Sequence, residues 1–145
     1  MPTAAKTVSA PASEALPDVT ASELLEAYAG RTLSPVEVME AVIARVEQCE
    51  PKLKALYAFD PEGALEEARR SEARWMRGEA RALDGVPTTL KENIATQGTP
   101  MPLGTAARPL DPMPHDGPSA ARLREAGAII FAKTTMPDYG MLSSG

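Results

Sequence analysis

Residue types that make reactive centres on their own are scarce in this sequence. It has one cysteine, Cys49, and one histidine, His115, in 145 residues. A lone cysteine excludes an internal disulfide, and in its expected helical context Cys49 reads as a small apolar filler. One Cys with one His gives no metal-ligand cluster, so no metal and no cofactor are expected. His115, at the end of a loop, reads as a surface or capping residue. No apolar run approaches the length of a membrane span, and no membrane partner is expected. Basic residues are not in excess: 15 Lys and Arg stand against 20 Asp and Glu, a net charge of −5. Nucleic-acid binders are more often basic on one face, so that class of partner is disfavoured.

What remains is the composition of a soluble globular protein, 43% hydrophobic and 24% charged, in a chain long enough for one domain with a core. Residues 1–18 are rich in Ala, Pro, Ser and Thr and show neither helical nor strand period, so they are expected to be a disordered leader. Lys6 is followed by no apolar stretch of the secretory kind, and a cytoplasmic location is the default. Residues 19–145 are read as part of a single domain.

Two capping boxes open the ordered part. Thr20-Ala21-Ser22-Glu23 starts a helix with Leu24, Leu25 and Tyr28 on its apolar face, and Gly30 is expected to end it in the left-handed conformation. Ser34-Pro35-Val36-Glu37 starts another, with Val36, Met39, Val42, Ile43 and Val46 at helical spacing. Pro51 is expected to stop it. A short strand is predicted within Leu53–Phe59. Asp60-Pro61 opens a third helix, running to Arg77 before Gly78, with an apolar face of Ala64, Leu65, Ala68, Ala73 and Trp75. Its charged remainder, including the pair Glu66 and Arg70, is a solvated surface.

The stretch around which the chain is organised is Leu83 to Asn93. Asp84-Gly85 is turn chemistry. Val86, Thr88, Thr89 and Leu90 suit a strand, which delivers Lys91 at its end beside Glu92 and Asn93. A lysine at the lip of a core can be desolvated, and its lowered pKa would free it to act as a base. Gly98 to Pro114 is a long loop rich in proline and glycine, of the kind that is usually functional or covered. A helix begins near Gly117-Pro118-Ser119 and leads to Gly127 as its cap. Ala128-Ile129-Ile130-Phe131-Ala132 then forms a strand buried on both faces. Helix, tight turn and buried strand make an α/β unit.

Three segments, in this order, resemble the amidase signature family, the Ser–Ser–Lys amide hydrolases. They are Leu83-x-Gly85-Val86-Pro87-x-x-x-Lys91-Glu92-Asn93, Leu123-Arg124-Glu125-Ala126-Gly127-Ala128-Ile129-Ile130, and Lys133-Thr134-x-Met136-Pro137-Asp138. The resemblance runs from about residue 20 to the end. Thr135 stands where the family usually has Asn, Asp138 is the acidic residue, and Ala132 replaces a common glycine. The resemblance implies an α/β fold of helices packed on a mixed β-sheet, of which this chain carries the N-terminal, incomplete part. That incomplete sheet would leave the strands Val86–Leu90 and Ala128–Ala132 with bare edges and uncovered apolar faces.

It also implies an amidase that hydrolyses carboxamide C–N bonds. Lys91 would be the catalytic lysine, taking a proton through a cis-bonded serine that activates a nucleophilic serine. Backbone amides of a glycine-rich loop would hold the oxyanion. Both family serines lie tens of residues beyond Lys133-Thr134, so the 145 residues shown are expected to be inactive alone. Ser143-Ser144-Gly145 directly follows the third segment and is not expected to be catalytic. Lys133 is expected to be structural, and Glu92 and Asn93 to orient Lys91 and the local backbone. The expected partner is a small-molecule amide, with a homodimer considered for the complete protein. Two alternatives stay open: an A-type amidotransferase subunit, or a non-catalytic interaction module.

Overall fold

The computed structural model describes residues 19–141, so the leader 1–18 and Ser143-Ser144-Gly145 lie outside the described residues. The elements in chain order are α1 (Ala21–Ala29), α2 (Pro35–Leu53), β1 (Leu56–Phe59), α3 (Pro61–Arg77), β2 (Pro87–Lys91), α4 (Pro118–Glu125) and β3 (Ile129–Thr134). The three strands form one mixed sheet in the order β1-β3-β2. β2 runs parallel to β3 and β1 antiparallel to it. α4 lies between β2 and β3 in sequence, as a parallel pair requires of its connection.

Both capping boxes form as read. Thr20 and Glu23 exchange side-chain-to-backbone bonds, and Ser34 and Glu37 do the same. Two other helix ends differ from expectation. Gly30 caps α1 in a right-handed conformation (φ −76°), and the left-handed residue is Arg31 (φ 55°). The closing bonds are Arg31 N–H to Tyr28 O and Thr32 N–H to Ala27 O, so the reversal falls one residue later. Pro51 does not stop α2, which continues to Leu53 and ends on left-handed Lys54. Pro51 withholds one N–H from the last turn, and just past the helix end the Glu50 carboxylate accepts from the amides of Ala55 and Leu56 at 3.2 and 2.9 Å. The first strand therefore begins at Leu56. The third helix ends at Gly78 as expected, in the left-handed region.

The principal core joins α2, α3 and β3 through Met39, Ala64, Ala68, Ile129, Phe131 and Ala132. Leu24, Tyr28 and Val38 form a second cluster, against which Trp75 packs. In β3, Ile129, Phe131, Ala132 and Lys133 are all buried, so burial runs past the apolar stretch into the lysine. It is the central strand, so the expected bare edge at Ala128–Ala132 is corrected: β3 is flanked on both sides, and the outer strands are β1 and β2. An apolar groove of about 440 Å3 runs beside β2, lined by Val38, Val42, Val46, Val86 and Phe131 among others.

Gly85 shows why the entry to β2 needs glycine. Its φ is +85°, and a Cβ there would stand 2.8 Å from Ser71 Oγ and 2.9 Å from Pro35 Cγ. Gly85→Ala is expected to cost about 2–4 kcal/mol, combining left-handed strain with overpacking. Urea unfolding of the complete protein should show a lower midpoint, and an unchanged midpoint would refute the close packing at this turn.

Candidate active site

β2 delivers Lys91 at its C-terminal end, and the chain then turns. Ile94 N–H donates to Lys91 O at 2.9 Å, and Glu92 N–H donates to Thr134 O at 3.0 Å. In register, Leu90 lies opposite Lys133 and Lys91 opposite Thr134. The first and third segments of the sequence resemblance are therefore neighbouring strand ends. This adjacency is a property of the fold, since 41 residues separate Glu92 from Lys133.

The two lysines sit in opposite environments. The sequence places Lys91 at the lip of a core, but its side chain is exposed. Lys133 is the desolvated one, only 2% exposed. Its Nζ donates to the carbonyls of Glu92 and Ile94 at 2.8 and 2.7 Å. Burial pushes the Lys133 ammonium below the usual lysine range, and the Glu92 carboxylate partly opposes that shift. One signal in the sequence could have found it. Lys133 directly follows the apolar run Ala128–Ala132, and a strand continuing by two residues carries it inward.

Glu92 is also buried, at 3% exposure. Its Oε1 accepts from Gly104 N–H at 2.6 Å, which ties the long loop to the end of β2. Gly104 has φ +71°, and a Cβ there would press on the Pro137 and Met136 carbonyls at 2.6 and 2.7 Å. Tyr139 N–H adds a bond to Leu103 O at 2.8 Å. The loop is thus pinned between the segments after β2 and after β3. Tyr57 faces the same region: burial and the Glu92 charge both push its phenol upward. Glu92 thus ties the end of β2 to the long loop. Asn93 is exposed, as is His115, which matches its reading as a surface residue.

A cleft of about 510 Å3 lies under Thr96–Pro100, against β3 and α3, and Lys91 is not among its lining residues. Among the described residues there is no group of three or more metal-ligating side chains, and no helix is long and apolar enough to cross a membrane.

The fold and this strand-end lysine define a class: an α/β protein with a mixed sheet in which a Gly-Val-Pro-x-x-x-Lys-Glu-Asn strand lies beside a Lys-Thr-x-Met-Pro-Asp strand. The chain belongs to the amidase family, whose model matches residues 37–145. It is 36% identical over 130 residues to the A-type subunit of the glutamyl-tRNA(Gln) amidotransferase of Geobacter metallireducens, covering 88% of this chain and 26% of that protein. A solved amidase structure matches with a TM-score of 0.77 at 32% identity, over 85% of this chain and 28% of its own. A bacterial aryl acylamidase of the amidase signature family matches with a TM-score of 0.75 at 28% identity, over 83% and 26% of the two chains. The chain spans about a quarter of the length of the relatives it matches.

Proposed function

We propose that the complete protein is an amide hydrolase in which this segment supplies the lysine of a Ser–cis-Ser–Lys triad. The observation that carries the proposal is the placement of Lys91, at the end of β2 with its side chain exposed and its backbone held by the turn to Ile94. In this mechanism a neutral Lys91 amine accepts a proton relayed through the bridging serine. The nucleophilic serine oxygen bonds to the amide carbon, and the C–N bond then breaks. The amine or ammonia leaves with a proton, and water cleaves the acyl ester to give the carboxylate and regenerate the serine. Serine is a poor nucleophile without such a base, and lysine serves as one only where its surroundings disfavour the charged form. Lys91 is exposed here, so on this reading its desolvation comes from surfaces other than the described residues.

The complete protein is expected to release ammonia from a small primary carboxamide without any partner. A polypeptide of these 145 residues alone is expected to show no turnover. Hydrolysis by that polypeptide, abolished by Lys91→Ala, would overturn the second expectation. A second reading is supported by the relatives named as A-type subunits of glutamyl-tRNA(Gln) amidotransferases. In that case a panel of small carboxamides would go unhydrolysed, and activity would require glutamyl-tRNA and partner subunits.

A further inference from the structure

We infer that Lys133 is a positioning residue for Lys91, acting through the main chain that follows β2; this rests on the reading of Lys91 as the catalytic base. An amine on the central strand of a sheet is a poor choice for packing. An apolar side chain such as Met would fill the same volume without burying an ammonium. What Lys133 contributes is two short hydrogen bonds to the carbonyls of Glu92 and Ile94, and bonds from an ionised donor are about twice as strong as neutral ones. Those carbonyls flank Asn93, and Ile94 closes its turn back onto Lys91.

Lys91 is therefore bracketed. On its N-terminal side, Leu90 pairs with Lys133 itself. On its C-terminal side, Glu92 is held by Thr134 O through its amide, by Lys133 through its carbonyl, and by Gly104 through its carboxylate. The side chain of Lys91 is exposed and long, so its reach is defined only as well as its Cα is defined. Of these ties, only the Lys133 ammonium spans both carbonyls of the turn. Removing it frees the turn to shift without touching the base, and a displacement on the order of 1 Å can cost about 10²-fold in rate.

The test uses the complete protein and a small carboxamide, with rates expressed per folded molecule. Lys133→Met is expected to lower kcat about 10²-fold and to leave KM essentially unchanged. Lys133→Gln, which keeps an N–H donor, is expected to recover part of the loss. Adding Lys133→Met to Lys91→Ala is expected to slow the residual rate no further, because residues acting as one unit are non-additive. Wild-type kcat in Lys133→Met, a change confined to KM, or a double variant slower by the full factor would each overturn the inference. If Lys133→Met does not fold, Lys133→Gln on the wild-type and Lys91→Ala backgrounds makes the same comparison. Unchanged activity in Lys91→Ala would instead remove the reading of Lys91, whatever Lys133 does. An inactive Lys91→Ala beside a fully active Lys133→Met would remove only the present inference.

Discussion

Lys91→Ala in the complete protein is expected to reduce kcat about 10²–10⁴-fold, the usual contribution of a general base. The fold should be untouched. On the reading above the complete protein desolvates Lys91, and a base held in that state opposes stability rather than supporting it, so removing its amine is not expected to destabilise the fold. Rate and stability should therefore separate cleanly. Lys91→Arg sharpens the point. A guanidinium keeps the positive charge and most of the reach, but it cannot give up its proton. If Lys91 works as a neutral amine, the Arg variant should be nearly as slow as the Ala variant. If it works only by its charge, Arg should restore much of the rate. Full activity in Lys91→Ala would take this residue out of the mechanism altogether.

The second large effect is on stability, at Asp84. The sequence presents Asp84 only as part of a turn, yet its side chain is 0% exposed. Arg74 of α3 grips it with a two-pronged bond, Nε to Oδ2 at 2.7 Å and Nη2 to Oδ1 at 2.6 Å. Arg81 N–H adds a third bond at 3.1 Å, and Trp75 Nε1 donates to the Asp84 carbonyl at 3.0 Å. The Ser71 hydroxyl stands near enough to add to the stabilisation without a well-formed hydrogen bond. Leu83 and Gly85, on either side, donate to Ala126 O and Gly127 O at 2.8 and 3.0 Å. The carboxylate thus ties α3 to the entry of β2, and the backbone on either side of it ties that entry to the turn before β3.

Arg74→Met would leave that carboxylate buried without its cation. Breaking a buried pair in this way costs about 3–5 kcal/mol, and since Arg74 is 16% exposed the lower end of that range is expected. Burial raises the Asp84 pKa, but the Arg74 bonds, the neighbouring Ser71 hydroxyl and the Arg81 amide outweigh it, so the carboxyl is held below its ordinary value. The unfolded chain then binds more protons than the folded one as pH falls through that range. The stabilisation is complete above the unfolded carboxylate pKa of about 3.9 and is lost as pH drops through the folded value. In urea unfolding against pH, wild type should lose stability steeply in acid. Asp84→Asn should be less stable near neutrality and flatter in acid. An Asp84→Asn protein with the wild-type acid slope would exclude this pair as a source of the acid sensitivity.

Much of the local structure can be read from residues alone, because its causes are local. The two capping boxes, proline at the first turn of α2 and α3, the left-handed Gly78 and the apolar run of β3 all act through neighbours a few residues away. Gly30 and Pro51 depart from expectation for one shared reason. Residue type assigns each of them a helix end, whereas the ending is decided by which carbonyls and side chains are at hand, Tyr28 O and Ala27 O in one case and the Glu50 carboxylate in the other.

The sequence by itself determined the family, through three segments whose order and spacing survive without knowledge of their contacts, and it marked Lys91 as the residue to test. Only the tertiary structure decided which lysine is buried, which strand is central, and that Asp84 is an anchor between α3 and the entry to β2. The physical reason is that desolvation and ion pairing depend on what stands opposite a side chain. Lys133 is enclosed because β1 and β2 flank β3 and because the turn after Lys91 folds its carbonyls onto the ammonium, and those carbonyls lie 41 and 39 residues away in the chain.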